Sequence, residues 1–369
     1  MKLSITKDQF LLGLQAVQNV IGTRTTLPVL SNVLLQAEDN WLRLTATDLD
    51  VSISCTVEAK VVKKGAGTLP AKRLLSIVRE AANPEMDVEV DDQNVCTLRS
   101  GPSVFKLHGL SADDFPPLPK FDEKKAIVLP QEKLKGMLRR TAFAASTDES
   151  RYMLNGLFFS LKDHKVTTVA TDGRRLALTD EEADIEPAAH AEFIVPSKAI
   201  AELARLLLDK GSVELRHTEN QASFSLIPEN GGAVLITTKL VEGTYPNYQQ
   251  VIPRDCRERI TLPREEFLQA LRRAEIMTSD KNSSVKLTFS RNQLVITANT
   301  PEIGEARETL NLNYKGADFV IAFNPTFLVD ALRALDCDEV YFELTDELSP
   351  GVLKINGPFL YVIMPMRTN

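Results

Sequence analysis

The chain has 369 residues, 43% hydrophobic and 25% charged, with a formal net charge of −7. That length exceeds one ordinary core and suits two or three domains, and the composition is that of a folded globular protein rather than a disordered one. The opening run MKLSITKDQF lacks the apolar stretch of a signal peptide, and no window approaches 18 uninterrupted apolar residues. Neither a secretory leader nor a membrane span is expected.

Cys55, Cys96, Cys256 and Cys337 lie far apart without a CxxC pair, and His108, His164, His190 and His217 lack metal-ligand spacing. No metal site, cofactor or disulfide framework is expected, and a reducing cytoplasm fits the cysteine usage. The negative net charge argues naively against a nucleic-acid partner. A ligand, however, feels the local field and not the sum.

Taken in chain order, apolar positions at helical spacing predict helices over 6–20, 70–82, 130–142, 196–208, 263–276 and 324–335. Period-two alternation predicts strands at 42–48, 166–172 and 294–300, and strand-rich stretches such as 51–62 and 213–226 fill the gaps. These signals repeat. Helix openings at Ile5, Leu129 and Leu262 are offset by 124 and 133 residues, and those at Leu69, Val195 and Phe323 by 126 and 128. The strand series LRLTATD, VTTVATD and LVITANT, beginning at Leu42, Val166 and Leu294, runs in step with them. Pro130 and Pro263 suit a first helical turn, where a missing N–H costs nothing. One α+β unit is therefore repeated three times, each copy a pair of strand-rich halves with one helix apiece. The expected domains are 1–121, 127–252 and 258–369, joined at the Pro-rich FPPLPKF from Phe115 and at PRDCR from Pro253.

Charge is segregated by element. The six helical windows carry 14 Lys or Arg against 8 Asp or Glu, a net +6, which leaves −13 on everything else. One reading is that helices simply have a solvated face. The other is that the helices face phosphates while acidic sheets face outward. Aromatics are only 6% of the chain, which disfavours a base-stacking platform.

Candidate chemistry is thin. In Thr171-Asp-Gly-Arg-Arg-Leu a carboxylate stands beside two guanidinium groups, but a hairpin turn explains Asp-Gly as well and is favoured. The copies have Thr47-Asp-Leu-Asp and Asn299-Thr-Pro-Glu at the same place. Gly65-Ala-Gly and Gly231-Gly lack the strand–GxGxxG–helix context of a dinucleotide site, and no nucleophile elbow, Walker loop or HExxH is present. No catalytic residue is assigned. A hydrolase on a tripled scaffold and a static DNA-binding scaffold are the rival readings, the first disfavoured by the lack of convergent acid, base or nucleophile.

Several motifs fall in an order that resembles the bacterial sliding-clamp family, the beta subunits of DNA polymerase III. They are RTTLPVLSN from Arg24, LTATDL from Leu44, Asp114-Phe-Pro, RYMLNG from Arg151, VATDGRRLA from Val169, KLVEGTYPNY from Lys239 and the terminal YVIMPMR from Tyr361. The resemblance covers essentially the whole chain. It implies three clamp domains per chain, closing as a homodimer into a six-domain ring with helices inside. It also implies a non-enzymatic processivity factor that encircles and slides along double-stranded DNA without sequence preference. Partners would be the replicative polymerase, the clamp loader, and other polymerases or repair proteins, bound through short peptide motifs.

The resemblance also implies residues. DNA contacts map onto Arg24, Lys72 and Tyr152, with Lys198 added from its inner helix. Dimer contacts map onto Phe105 and Leu107 meeting Ile276 and Met277, although residue type alone favours ordinary core for all four. The peptide pocket between domains 2 and 3 maps onto Leu154, Thr171, Gly173, Arg174, Arg175, Leu176, Pro246, Val251, Leu348, Val362, Ile363, Met364, Pro365, Met366 and Arg367. Methionine-rich walls suit one pocket that serves many peptides. The stretch 362–366 also reads as a last core strand, with alternate side chains facing core and pocket. Asp148, Met153, Arg174 and Gln250 depart from the family pattern, which leaves the DNA role of loop 148–153 and the peptide preference open.

Overall fold

The helix-opening signals become six α-helices among the described residues: α1 (Lys7–Val17), α2 (Ala71–Glu80), α3 (Gln131–Thr141), α4 (Ser197–Leu206), α5 (Arg264–Glu275) and α6 (Pro325–Arg333). A computed structural model describes residues 1–22, 27–119, 121, 126–185, 190–229, 231–279 and 283–367. Five helices follow directly on a strand, and α6 follows Asn324. The Thr6 hydroxyl caps α1 by accepting from the Gln9 N–H at 3.3 Å, and the Asn324 side chain caps α6 by accepting from Thr326 N–H at 3.0 Å.

Two sequence expectations shift at these junctions. Pro130 and Pro263 are not in the first helical turn; each is the last residue of the preceding strand, as are Pro70 and Pro196. A residue without an N–H ends a ladder as readily as it tolerates a helix start. The helices are also shorter than their windows. After α1 the chain tightens into a 3₁₀ turn over Gln18–Val20 that still buries Val20, so the apolar period outlasts the helix.

The strands form four antiparallel sheets distributed over two compact units. The first unit comprises Met1–Lys135 with Lys198–Val241, and the second Gly136–Ser197 with Glu242–Asn369. In the first, a five-stranded sheet runs Lys60–Lys63, Lys2–Thr6, Glu85–Val90, Val95–Ser100, Ser103–His108. Its eight-stranded sheet runs Ile127–Pro130, Ser212–His217, Gln221–Ile227, Val234–Lys239, Val51–Glu58, Trp41–Thr47, Asn32–Glu38, Gly65–Pro70. In the second unit an eight-stranded sheet runs Ala191–Pro196, Gly156–Lys162, Lys165–Thr171, Arg175–Glu182, Phe359–Ile363, Gly351–Lys354, Glu339–Leu344, Glu258–Pro263. A four-stranded sheet, Gly304–Asn311, Gln293–Thr300, Val285–Ser290, Phe319–Phe323, completes it.

Each eight-stranded sheet therefore crosses a boundary between repeats. Val51–Glu58 pairs with Val234–Lys239, with Val51 opposite Thr238 and Cys55 opposite Val234. Arg175–Glu182 pairs with Phe359–Ile363, with Arg175 opposite Ile363. Helices supply the buried layer: α1 lies against α2 with Phe10, Leu14, Leu74 and Val78 buried, and α5 against α6 with Phe267, Leu271, Leu328 and Leu332 buried. All four cysteines are free, and burial raises the thiols of Cys55 to about 11 and Cys96 to about 12.

The first crossing depends on a glycine. A Cβ on Gly232 would lie 1.5 Å from the Thr56 carbonyl oxygen, where Thr56 N–H donates to Ala233 O at 3.1 Å. Gly232→Ala should therefore lower stability by roughly 1–3 kcal/mol, the usual cost of overpacking. Gly136, inside α3 with open space around it, is the control, and Gly136→Ala should raise stability by about 0.5–1 kcal/mol. Urea unfolding midpoints of the two variants check both signs.

Candidate partner-binding and nucleic-acid surfaces

The hairpin joining Lys165–Thr171 to Arg175–Glu182 is built by side chains that hydrogen-bond their own turn. Thr171 Oγ1 donates to Arg175 O at 2.6 Å and accepts from Gly173 N–H at 3.1 Å. Asp172 Oδ1 accepts from the N–H groups of Arg174 at 2.9 Å and Arg175 at 3.1 Å. Gly173 has φ +85, which a side chain would strain. Thr47 and Asp48 build the equivalent hairpin in the same way. Thr47 Oγ1 donates to Val51 O at 3.1 Å, and Asp48 Oδ1 accepts from Asp50 N–H at 3.0 Å and Val51 N–H at 2.7 Å. The shared Thr-Asp is thus a turn device, as the favoured sequence reading had it.

Arg175 carries more than the turn. Its Nε donates to Asp172 Oδ2 at 3.0 Å, Nη1 to Asp330 Oδ2 at 2.7 Å and Nη2 to Phe143 O at 2.8 Å. The guanidinium lies 4.4 Å from the Phe327 ring centre and 5.6 Å from that of Phe143. Burial alone would lower its pKa, but the Asp330 hydrogen bond and the nearby Tyr361, Asp172 and Asp330 hold it above the ordinary value. With a side chain 10% exposed, Arg175 serves as a clamp between the hairpin and α6 and does not project into solvent. Tyr361, fully buried, donates to Phe327 O at 2.8 Å. Sequence reasoning placed Arg175 in the site but missed Asp330, Phe143, Phe327 and Tyr361. Asp330 is 155 residues away, and no local pattern marks it.

Every residue mapped onto the peptide pocket lies in the second unit. Gly173, Arg174, Pro246, Val251, Leu348, Met364 and Arg367 are exposed; Leu154, Thr171, Pro365 and Met366 are half-buried; Leu176, Val362 and Ile363 are core. The terminal stretch is fixed by its backbone, since Met364 N–H donates to Arg174 O at 2.9 Å and Met366 N–H to Ala322 O at 2.8 Å. Val362 and Ile363 are both buried, so the alternation expected across 362–366 gives way to a buried strand end followed by an exposed Met364.

Leu348 is 71% exposed because a short acidic turn presents it. Asp346 Oδ1 accepts from the N–H groups of Leu348 at 2.9 Å and Ser349 at 2.7 Å, and Ser349 Oγ donates to Asp346 Oδ2 at 2.8 Å. The Ser349 hydroxyl, with these amides, holds the Asp346 carboxyl below the usual carboxylate range. Tyr245, beside Pro246, is buried with its ring stacked on Phe158 at 4.8 Å.

Of the DNA candidates, Arg24 lies outside the described residues. Lys72 and Tyr152 are exposed, and Lys72 has no ion-pair partner among the described residues. Lys198 is paired with Asp48, so part of its charge is already neutralised. Asp148 has a structural task in its loop: its Oδ1 accepts from Ser150 Oγ at 2.6 Å and Ser150 N–H at 3.0 Å, capping the 3₁₀ segment Glu149–Leu154. Those bonds, led by the Ser150 hydroxyl, lower its pKa. The observed helices keep the same 14 cations and 8 anions as the sequence windows.

Two of the four dimer candidates depart from the core assignment that residue type favours. Phe105 is 37% and Ile276 is 70% exposed, whereas Leu107 is buried and Met277 half-buried. Phe105 and Leu107 lie on Ser103–His108, the last strand of its sheet. Ile276 follows α5, which packs on Gly304–Asn311, likewise a last strand.

Three family models match the chain in succession. They are the N-terminal domain of the DNA polymerase III beta subunit at residues 1–119, its central domain at 128–247 and its C-terminal domain at 249–367. The beta sliding clamp of Escherichia coli is 36% identical over 371 residues, covering 100% of both chains. That of Chlamydia muridarum is 35% identical over 367 residues, covering 100% of this chain and 99% of its own. Among solved structures, the DNA polymerase sliding clamp of Bacillus subtilis superposes with a TM-score of 0.94 at 31% identity, covering 100% of both chains. The chain belongs to the family of bacterial beta sliding clamps, the beta subunits of DNA polymerase III, and carries that family's α+β fold in three clamp domains.

Proposed function

We propose that two copies of this chain close head to tail into a ring that encircles duplex DNA and tethers a polymerase to it by topology, without catalysis. The observation that carries this reading is a pair of open sheet edges. Ser103–His108 ends the five-stranded sheet of the first unit and Gly304–Asn311 the four-stranded sheet of the second. Unpaired edges invite another strand, and here they come with exposed Val104 and Phe105 on one and exposed Ile303 and Ile276 beside the other. A contact between these two edges, repeated about a two-fold axis, closes on itself. Phe105 and Leu107 of one chain would meet Ile276 and Met277 of its partner.

The net +6 on the helices against −13 elsewhere supports a lumen lined by helices around an otherwise acidic ring. Phosphate contacts from Arg24, Lys72, Tyr152 and Lys198 fix position but carry no sequence information, which permits sliding. The exposed Leu348, Val251, Pro246 and Met364 support a surface for short apolar peptides from the polymerase, the clamp loader and other polymerases or repair proteins. The work is that of the bacterial cytoplasm, where the chromosome lies.

Loading on a nicked circular DNA followed by linearisation tests the ring. The clamp should run off the ends, and protein that stays bound contradicts a topological link. Removing residues 364–369 should abolish polymerase stimulation while the dimer persists. Leu348→Ala, which removes a solvent-exposed side chain, should weaken binding of a polymerase-derived peptide about tenfold or more, as loss of a buried anchor does. Unchanged affinity in fluorescence anisotropy refutes the pocket.

A further inference from the structure

The Thr-Asp hairpins beside the two sheet crossings are the same backbone with opposite charge. Leu49 in the first has φ +79 and Gly173 in the second φ +85. Asp50 O accepts from Lys239 N–H, and Arg174 O accepts from Met364 N–H, each at 2.9 Å. At the first crossing the two side chains at these positions close on each other, Lys239 Nζ donating to Asp50 Oδ1 at 2.9 Å. At the second, Arg174 stands where the carboxylate was and Met364 where the ammonium was. The hairpin charge is reversed, and its counter-ion is replaced by an apolar side chain.

Arg174 is exposed, and its guanidinium has no partner among the described residues. Asp172, two residues away, is taken up by the amides of Arg174 and Arg175 and by the Arg175 guanidinium. Arg175 and Gly351 both lie opposite Ile363, so Arg174, Met364 and Pro350 continue three neighbouring strands at one end of the sheet. Leu348 projects from the turn just before Pro350, with Glu347 exposed beside it. Strands about 4.8 Å apart put about 10 Å between the first and third, the reach of about three extended residues.

We propose, on the reading that this surface takes partner peptides, that Arg174 selects peptides carrying a carboxylate within about three residues of their apolar anchor. The peptide supplies the acid that the chain itself supplies at the first crossing. Its carboxylate meets the Arg174 guanidinium, and its apolar side chains cover Met364 and Leu348. Glu347 sets the polarity, since an acid placed at the Leu348 end is repelled. A peptide with a basic residue at the Arg174 end meets a like charge, and a neutral one gains only the apolar contacts.

Fluorescence anisotropy at low salt tests this with the full-length protein and fluorescein-Gly-Asp-Ser-Leu-Leu-amide, beside the same peptide with Asn or Lys in place of Asp. The Asp peptide should bind about fivefold tighter than the Asn peptide, as an exposed charge-assisted pair gives. Arg174→Gln should bring that ratio to about one, and Arg174→Glu should favour the Lys peptide over the Asp peptide. Arg333→Gln, the same loss of charge from an exposed side chain of the same unit, should leave the ratio as it is. Equal binding of the Asp and Asn peptides, or a ratio that survives Arg174→Gln, overturns the acidic preference and leaves the peptide surface standing. If none of the three peptides binds saturably at roughly millimolar concentration, the surface itself fails and the preference with it.

Discussion

An unpaired strand edge presents a row of backbone N–H and C=O groups that must be met by solvent or by another strand. This chain meets that demand by letting its sheets run on. Val51–Glu58 receives Val234–Lys239, and Arg175–Glu182 receives Phe359–Ile363, so two boundaries between repeats vanish into continuous eight-stranded sheets. The same Thr-Asp hairpin stands beside each crossing, at Thr47 and at Thr171, with the same hydrogen bonds. A unit that can pair edge to edge with its own copy has a way to extend itself. Ser103–His108 and Gly304–Asn311 are among the edge strands that remain, each at the end of its sheet.

The two crossings share a backbone but differ in side chains, and that difference separates structural from partner-binding work. At the first, the Asp50 carboxylate pairs with Lys239 at 2.9 Å. At the second, the corresponding positions hold Arg174 and Met364, joined only through the backbone, so both side chains remain available to a ligand. Arg175, fastened to Asp172 and Asp330, keeps the hairpin and α6 in fixed relation beneath them. The ionic contacts of the helices follow a similar division. Lys198, Arg139 and Arg273 are paired with Asp48, Asp336 and Glu308, whereas Lys72 and Arg73 stay exposed and without ion-pair partners among the described residues.

The repeats, the six helix starts and the strand windows were legible in the sequence because the periods of 3.6 and 2 are local properties. Helix ends were not, since Val20 keeps the apolar period through a 3₁₀ turn. Pro130 and Pro263 were placed one residue late, because a proline satisfies both the end of a ladder and the start of a helix. The Arg175 clamp was half legible. Thr171-Asp-Gly-Arg-Arg marks the turn, but Asp330 comes from a distant repeat without a signature of its own, and the terminal motif that Tyr361 heads does not reveal that it packs there. Phe105 and Ile276 read as core by residue type, and only the sheet order shows that their neighbours run out.

If backbone pairing continues from Gly304–Asn311 of one chain into Ser103–His108 of the next, the amides of both strands should be protected from solvent. Hydrogen exchange measured on these two segments, in the native protein and in Ile276→Asp, tests this directly. Protection of both strands in the native protein, lost together in the variant while the buried strands Val51–Glu58 and Phe359–Ile363 stay protected, is the predicted result. Exchange at both edges that is equally fast in the two proteins would contradict closure through these edges.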